Sequence, residues 1–334
     1  MAEQIPQASV TPVDSKVSIR RNKAKVKEEI ETRNRLIKSG INFIMEFSKL
    51  INSSQKELMA EVLHCIFFLG HIYKNPVRPE DFFIGENMDL FKKHFPRVFQ
   101  QYNSHLPTRT PFSILLDLVS KNEGSTNSEA ILNHLSQINT NLQDGNQAHN
   151  DYTLAATVIT ECYSNRQGCF YGASLSCSGK VEIKIMIALS CIQTWNDAVA
   201  HAVWNAEKKG YIKFPPKVNC TAYKINPESD FYDSIPPCSN CNTIFKDVTF
   251  KPPFSSEKHS ERFAFGNCAE TESLSHLLDA DKNVRIETIA YIDTEEVIVD
   301  RASIRKEAKE KAKKLLGARN FKITDDKFNF FQAQ

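Results

Sequence analysis

Two short stretches of the chain carry residues whose types and spacing could do chemistry together. The first is Pro236, Pro237, Cys238 and Cys241, and the second is Phe265, Asn267, Cys268 and Glu270. A two-residue gap lets Cys238 and Cys241 point at one ion, with Zn–S distances near ~2.3 Å. A third thiolate from Cys268 would leave one tetrahedral position for water. Glu270 stands two residues beyond Cys268, where it could move a proton rather than close that position. Both stretches run into helix-compatible sequence, so each would set thiols at a helix N-terminus. Free backbone N–H groups and the helix dipole favour a thiolate there. The plainer readings are a structural zinc knot or buried thiols. A structural ribbon normally uses two CxxC pairs, and this sequence has a single one.

With these residues in view, the C-terminal half resembles the zinc-dependent cytidine deaminase superfamily. In that superfamily a His or Cys, any residue, then Glu opens one helix, and Pro-Cys-x-x-Cys opens another. Cys268-Ala-Glu270 and Pro237-Cys238-Ser-Asn-Cys241 match those motifs, and the resemblance covers about residues 150–320. It implies an α/β layered fold, a Zn2+ ion on Cys238, Cys241 and Cys268, and a nucleobase-containing substrate. Glu270 would be the proton shuttle, and water would displace an amino group from a cytosine- or adenine-type ring. The family places its Glu-bearing motif first, whereas here Cys268 follows Cys241 by 27 residues. Three readings stay open. The domain is rearranged; or the family order holds, with Cys191-Ile-Gln193 in the Cys-x-Glu place; or the match is fortuitous. In the second case Cys191 is the third ligand, Gln193 cannot act as acid or base, and Cys268 could close the zinc. The result would be an inactive binding module. Phe265 and Asn267, beside the Cys268 motif, are candidate substrate contacts. Trp195, Trp204, Tyr171 and Phe263 could line a stacking pocket, though core packing suits each aromatic as well.

The elements that must position these groups fall into two halves. Residues 1–25 read as a disordered basic tail. From 26 to 149 the pattern is helical, with a stripe at Ile37, Ile41, Ile44, Phe47 and Ile51. A capping box at Ser54–Glu57 would open the next helix, and further helices cover Leu90–Tyr102, Phe112–Val119 and Ser128–Leu142. No catalytic constellation stands out in this half, which reads as a scaffold or a surface for a protein partner. From 150 to 334 a mixed α/β/α layered domain is expected. It comprises a helix at Tyr152–Tyr163, a hairpin of Cys169–Leu175 with Val181–Leu189 turning at Gly179, and a helix from Ile192 to Lys209. A strand at Val218–Ile225 follows, then helices from Cys238 and Cys268, strands at Ile286–Ile292 and Val297–Val299, and a helix at Arg301–Leu316.

Composition sets broad limits. The 334 residues are 41% hydrophobic and 25% charged, enough for two ordinary domains with real cores. A net charge of +2 makes no case for nucleic acid by itself; the basic tail and the Arg301–Lys314 helix keep that partner open. No apolar run approaches the ~20 residues of a membrane span. Nine cysteines without a leading apolar segment suit a reducing compartment, cytoplasmic or nuclear. Cys162, Cys169, Cys177 and Cys220 read as buried small hydrophobes.

Overall fold

A computed structural model describes residues 12–83, 85–143, 154–164, 168–177, 179–256, 263–323 and 327–333. The first eleven residues of the expected tail lie outside the described residues. From Pro12 the chain is helical rather than a tail, because α1 runs Pro12–Leu50. Straight-chain Lys, Arg and Glu are good helix formers, and Lys27 faces Glu31 one turn on. Leu36, Phe43, Ile44 and Phe47 form the buried stripe of α1, with Ile37 and Ile41 at its margins.

The remaining helices of this half are α2 (Lys56–Ile72), α3 (Pro79–Phe82), α4 (Glu86–His94), α5 (Pro96–Gln101), α6 (Pro111–Glu123) and α7 (Ser128–Gln143). Asn52, not Ser54, makes the capping box, with Gln55 as its partner. Leu90–Tyr102 is two helices because Pro96 opens a new one. Every residue of α2 from Val62 to Gly70 is buried, as expected of a helix surrounded on all sides. His64 sits in that run with its ring 4.1 Å from the Phe331 ring and nearly parallel to it.

Burial holds the His64 imidazole well below its usual range, at about 3. The sign follows directly. Between about pH 6.5 and 3 the unfolded chain binds this proton and the folded chain does not, so stability falls as pH drops through that window. The loss amounts to at most about 5 kcal/mol. His64→Leu is expected to flatten the acid limb of the stability–pH curve, read from urea midpoints between pH 7 and 4. An unchanged slope would remove His64 as its cause.

The other half holds β1 (Val158–Tyr163), β2 (Phe170–Ala173), α8 (Lys180–Gln193), α9 (Asp197–Trp204), β3 (Gly210–Lys213), β4 (Asn219–Ile225) and β5 (Tyr232–Ile235). Then come α10 (Ser239–Ile244), β6 (Phe245–Lys246), β7 (Thr249–Lys251), α11 (Ala269–Ala280), α12 (Lys282–Glu287), β8 (Ile289–Ile292), β9 (Glu295–Val297) and α13 (Arg301–Gly317). One sheet runs β2-β1-β4-β5, antiparallel throughout, with β7 added parallel to β4. A second runs β6-β3-β8-β9. The α/β reading therefore holds.

Two expectations at the start of this half are corrected. Val158–Tyr163 is a strand, not the end of a helix. Val181–Leu189 belongs to α8 rather than a hairpin. Both are apolar runs buried on more than one side, where periodicity cannot separate strand from helix. The alternating Val181, Ile183, Ile185 and Ile187 imitate a strand, yet Ile185 to Ile192 are all buried, as in a core helix. The helix expected from Ile192 to Lys209 is instead the end of α8 followed by the separate α9.

Alternation along β1 assigns its two faces. Thr160 Oγ1 donates to Ser273 Oγ of α11 at 2.7 Å, and Cys162 Sγ lies 3.0 Å from the same hydroxyl. On the opposite face Glu161 accepts from Ser128 Oγ at the start of α7, at 2.6 Å. The sheet is thus sandwiched between α11 and the helical half. The two halves share one continuous apolar cluster, and the C-terminal segment returns to the helices through Leu106 N–Asn329 O at 2.8 Å.

Gly172 makes the α11 contact close. A Cβ built on it would lie 2.4 Å from both Ala269 O and Ser273 N. Backbone on both sides cannot yield as a side chain could, so Gly172→Ala should cost about 3 kcal/mol. The expected result is a lower thermal midpoint together with reduced metal uptake, since Cys268 is the N-cap of α11. A variant with wild-type midpoint would show that α11 can move off the sheet freely.

Candidate metal centre

Pro236 and Pro237 end β5 and prevent the chain from continuing as strand or helix until Cys238. Cys238 is the N-cap of α10, and its Sγ accepts from the Cys241 backbone N–H at 3.5 Å. One turn of helix brings the Cys241 thiol alongside. Cys268 is the N-cap of α11. The sulfurs of Cys238, Cys241 and Cys268 all lie within 4.8 Å of one another, and those of Cys238 and Cys268 are 3.3 Å apart. The structure therefore brings together the three thiols that the sequence singled out from two separate stretches.

The three thiols are electrostatically unequal. Hydrogen bonds from the Cys241 and Cys268 thiols, helped by the N–H groups of Asn240 and Cys241, hold Cys238 far below the usual thiol range. Burial above all pushes Cys241 up, and the bond to Cys238 does most to push Cys268 up. Protein alone supports one thiolate with two thiols donating to it. A thiophilic divalent cation is the kind of group that would let all three ionise, so the donor set fits Zn2+.

Glu270 is buried one residue inside α11, and it is not part of the three-sulfur group. Burial, then the negative charge of Cys238, raises its carboxyl to about 7; its own N–H and a hydrogen bond with Cys241 work the other way. The carboxyl is thus beside the cluster without completing it. Among the described residues no other His, Cys, Asp or Glu joins the three sulfurs. Cys191, the alternative ligand, lies in the last turn of α8, fully buried and outside that group. Its thiol is pushed up to about 12 by burial. The geometry places Cys268, and not Cys191, with the Cys238 and Cys241 pair.

No family model, curated protein or solved structure matches this chain. The site has to be read from its own geometry.

A cavity of about 320 Å³ opens beside Cys268, between the helical half and the sheet. Phe265 and Asn267 flank it without lining it. Phe265 is half-buried against the core. Asn267 fixes the approach to Cys268 through its backbone, accepting from Leu175 N–H at 3.1 Å and donating to Ala264 at 3.1 Å. Its buried Oδ1 has no partner. Trp195, one of the candidate stacking residues, does form part of the wall. Gly266, with φ +89°, packs against it so closely that a Cβ would come 2.8 Å from the indole.

Sequence reading missed the contribution of the helical half. Glu61 of α2, Arg109 before α6 and Ser113 on α6 all reach the cavity. Glu272 does so from α11, on the side of the helix turned away from Glu270. It accepts from Ala173 N–H at 2.7 Å and Ser113 Oγ at 3.1 Å. The available signal was Arg109 itself, an arginine set between Thr108 and Thr110 just before the Pro111 that opens α6.

Proposed function

We propose that this protein is a zinc-dependent hydrolytic deaminase acting on a nucleobase. The observation that supports it most is the meeting of three thiols from two helix N-termini beside a buried, non-ligating carboxyl, next to a cavity. In this reading Cys238, Cys241 and Cys268 hold the ion. Zinc bound there would supply the Lewis acidity that makes water a nucleophile near neutral pH.

The protein's own groups account for the rest. Glu270 takes a proton from the attacking water, then delivers protons to the ring nitrogen and to the departing amine. Water is consumed, a carbonyl replaces the amino group and ammonia leaves. Trp195 offers a flat apolar wall for the ring. The swapped motif order is no obstacle to this chemistry, because α10 and α11 present their first residues to one point whichever comes first in the chain.

The test is metal analysis joined to ammonia release. The full chain should carry about one zinc and release ammonia from a nucleobase compound, with both lost on chelation. Zinc bound with four sulfur ligands and no turnover would instead mark a structural knot.

A further inference from the structure

The cavity beside Cys268 also bears on what size and charge of molecule the site takes, given the deaminase reading above, on which this inference rests. Its walls come from both halves. Glu61, Arg109 and Ser113 face Trp195, Cys268 and Glu272 across it. At about 320 Å³ it sits at the bottom of the range for small-molecule pockets, ~300–1,000 Å³.

The charges in this space are already matched. Arg109 donates through Nε and Nη2 to the Glu61 carboxylate at 2.9 and 3.2 Å, and through Nη1 to Asp117. One guanidinium thus answers two carboxylates, and no lysine among the described residues lines the cavity. A phosphate entering here would meet Glu61 and Glu272, and the one further basic side chain on the described walls, His276, already faces Glu272 and holds its Nδ1 2.9 Å from the Tyr171 carbonyl. Hydroxyl donors would fare differently. An ionised carboxylate has about four acceptor sites; Glu61 uses three, on Thr108 and Arg109, and Glu272 uses two. A nucleic-acid strand needs a groove with unmatched cations and stacking platforms along several nucleotides, and these walls supply neither.

We infer that the cavity takes a single uncharged nucleoside, its sugar hydroxyls on Glu61, Ser113 and Glu272 and its ring against Trp195 on the Cys268 side. The helical half is then part of the binding site, and it selects against phosphorylated and polymeric forms.

The test uses the zinc-loaded full chain with cytidine, adenosine, their 5′-monophosphates and a single-stranded oligonucleotide carrying both bases. Binding is measured by calorimetry and turnover by ammonia release. At least one nucleoside should bind about tenfold or more tightly than its monophosphate, a difference of about 1.4 kcal/mol, with the oligonucleotide weaker still. Equal or tighter binding of a monophosphate or of the oligonucleotide overturns the inference, and so does failure of every probe to bind. Nucleoside binding without ammonia release supports the cavity assignment while sinking the deaminase reading. Ammonia from the oligonucleotide alone does the reverse. Asp117→Asn and, separately, Glu61→Gln unmask charge on Arg109, and each should narrow the nucleoside preference about fivefold or more. An unchanged ratio in a folded variant of either kind also overturns it.

Discussion

Cys238→Ser protein is expected to purify with less than about a tenth of the zinc of the wild type and to melt well below it. Cys238 is the sulfur most ready to ionise, and it touches both other members of the cluster. With an alcohol in its place only Cys241 and Cys268 remain as thiols; burial above all pushes Cys241 up, and Cys268, freed of its bond to Cys238, is still pushed up by burial. The two would no longer be drawn into the ionised form by a shared partner. The size of the stability loss follows from mass action: a ligand held at a thousand times its dissociation constant stabilises the folded chain by about 4 kcal/mol. Chelator should therefore lower the wild-type melting temperature and leave Cys238→Ser unmoved. Cys191→Ser provides the contrast, since Cys191 lies outside the cluster, and it should keep full zinc. Loss of zinc from Cys191→Ser with retention in Cys238→Ser would invert the ligand assignment.

Much of this centre was legible because its chemistry is local. Pro237, the CxxC spacing and the Cys-x-Glu step each describe a few consecutive residues, and both helices begin where the cysteines predict. The helix expected from Cys238, the strand at Val218–Ile225 and the final helix at Arg301–Leu316 also correspond to α10, β4 and α13 within a few residues. What the sequence hid was long-range. The runs at Val158 and Val181 exchange their expected types because both are buried on several sides, which erases the one-sided periodicity that separates strand from helix. The cavity was hidden for a different reason. Glu61 and Arg109 pair across 48 positions of chain, and Ser113 and Glu272 across 159; nothing local marks such a meeting. Among the described residues no helix is long and apolar enough to cross a membrane, which agrees with the hydropathy of the chain.

Glu270→Gln separates catalysis from metal binding, and it carries the largest expected kinetic effect. The amide has nearly the shape of the carboxyl it replaces, so the packing of α11 against the sheet should persist. The carboxyl is absent from the three-sulfur group, so zinc content should stay at the wild-type level. The buried site also gains by the change, because a neutral amide no longer stands against the negative charge of Cys238. The melting temperature should accordingly be equal to or above that of the wild type. An amide cannot accept the proton of water and return it to ring nitrogen and amine. Loss of a positioned acid–base group costs about 10²–10⁴ in rate, and the fall should appear in kcat with little change in KM, since Glu270 sits against Cys238 and Cys241 and not among the groups proposed to hold the sugar. Glu272→Gln would act differently: it should raise KM through the sugar contacts while the chemical step is largely preserved. If Glu270→Gln keeps its turnover within a few-fold, or loses its zinc, the residue is a structural or ligating group, and proton transfer must be sought elsewhere in the wall of the cavity.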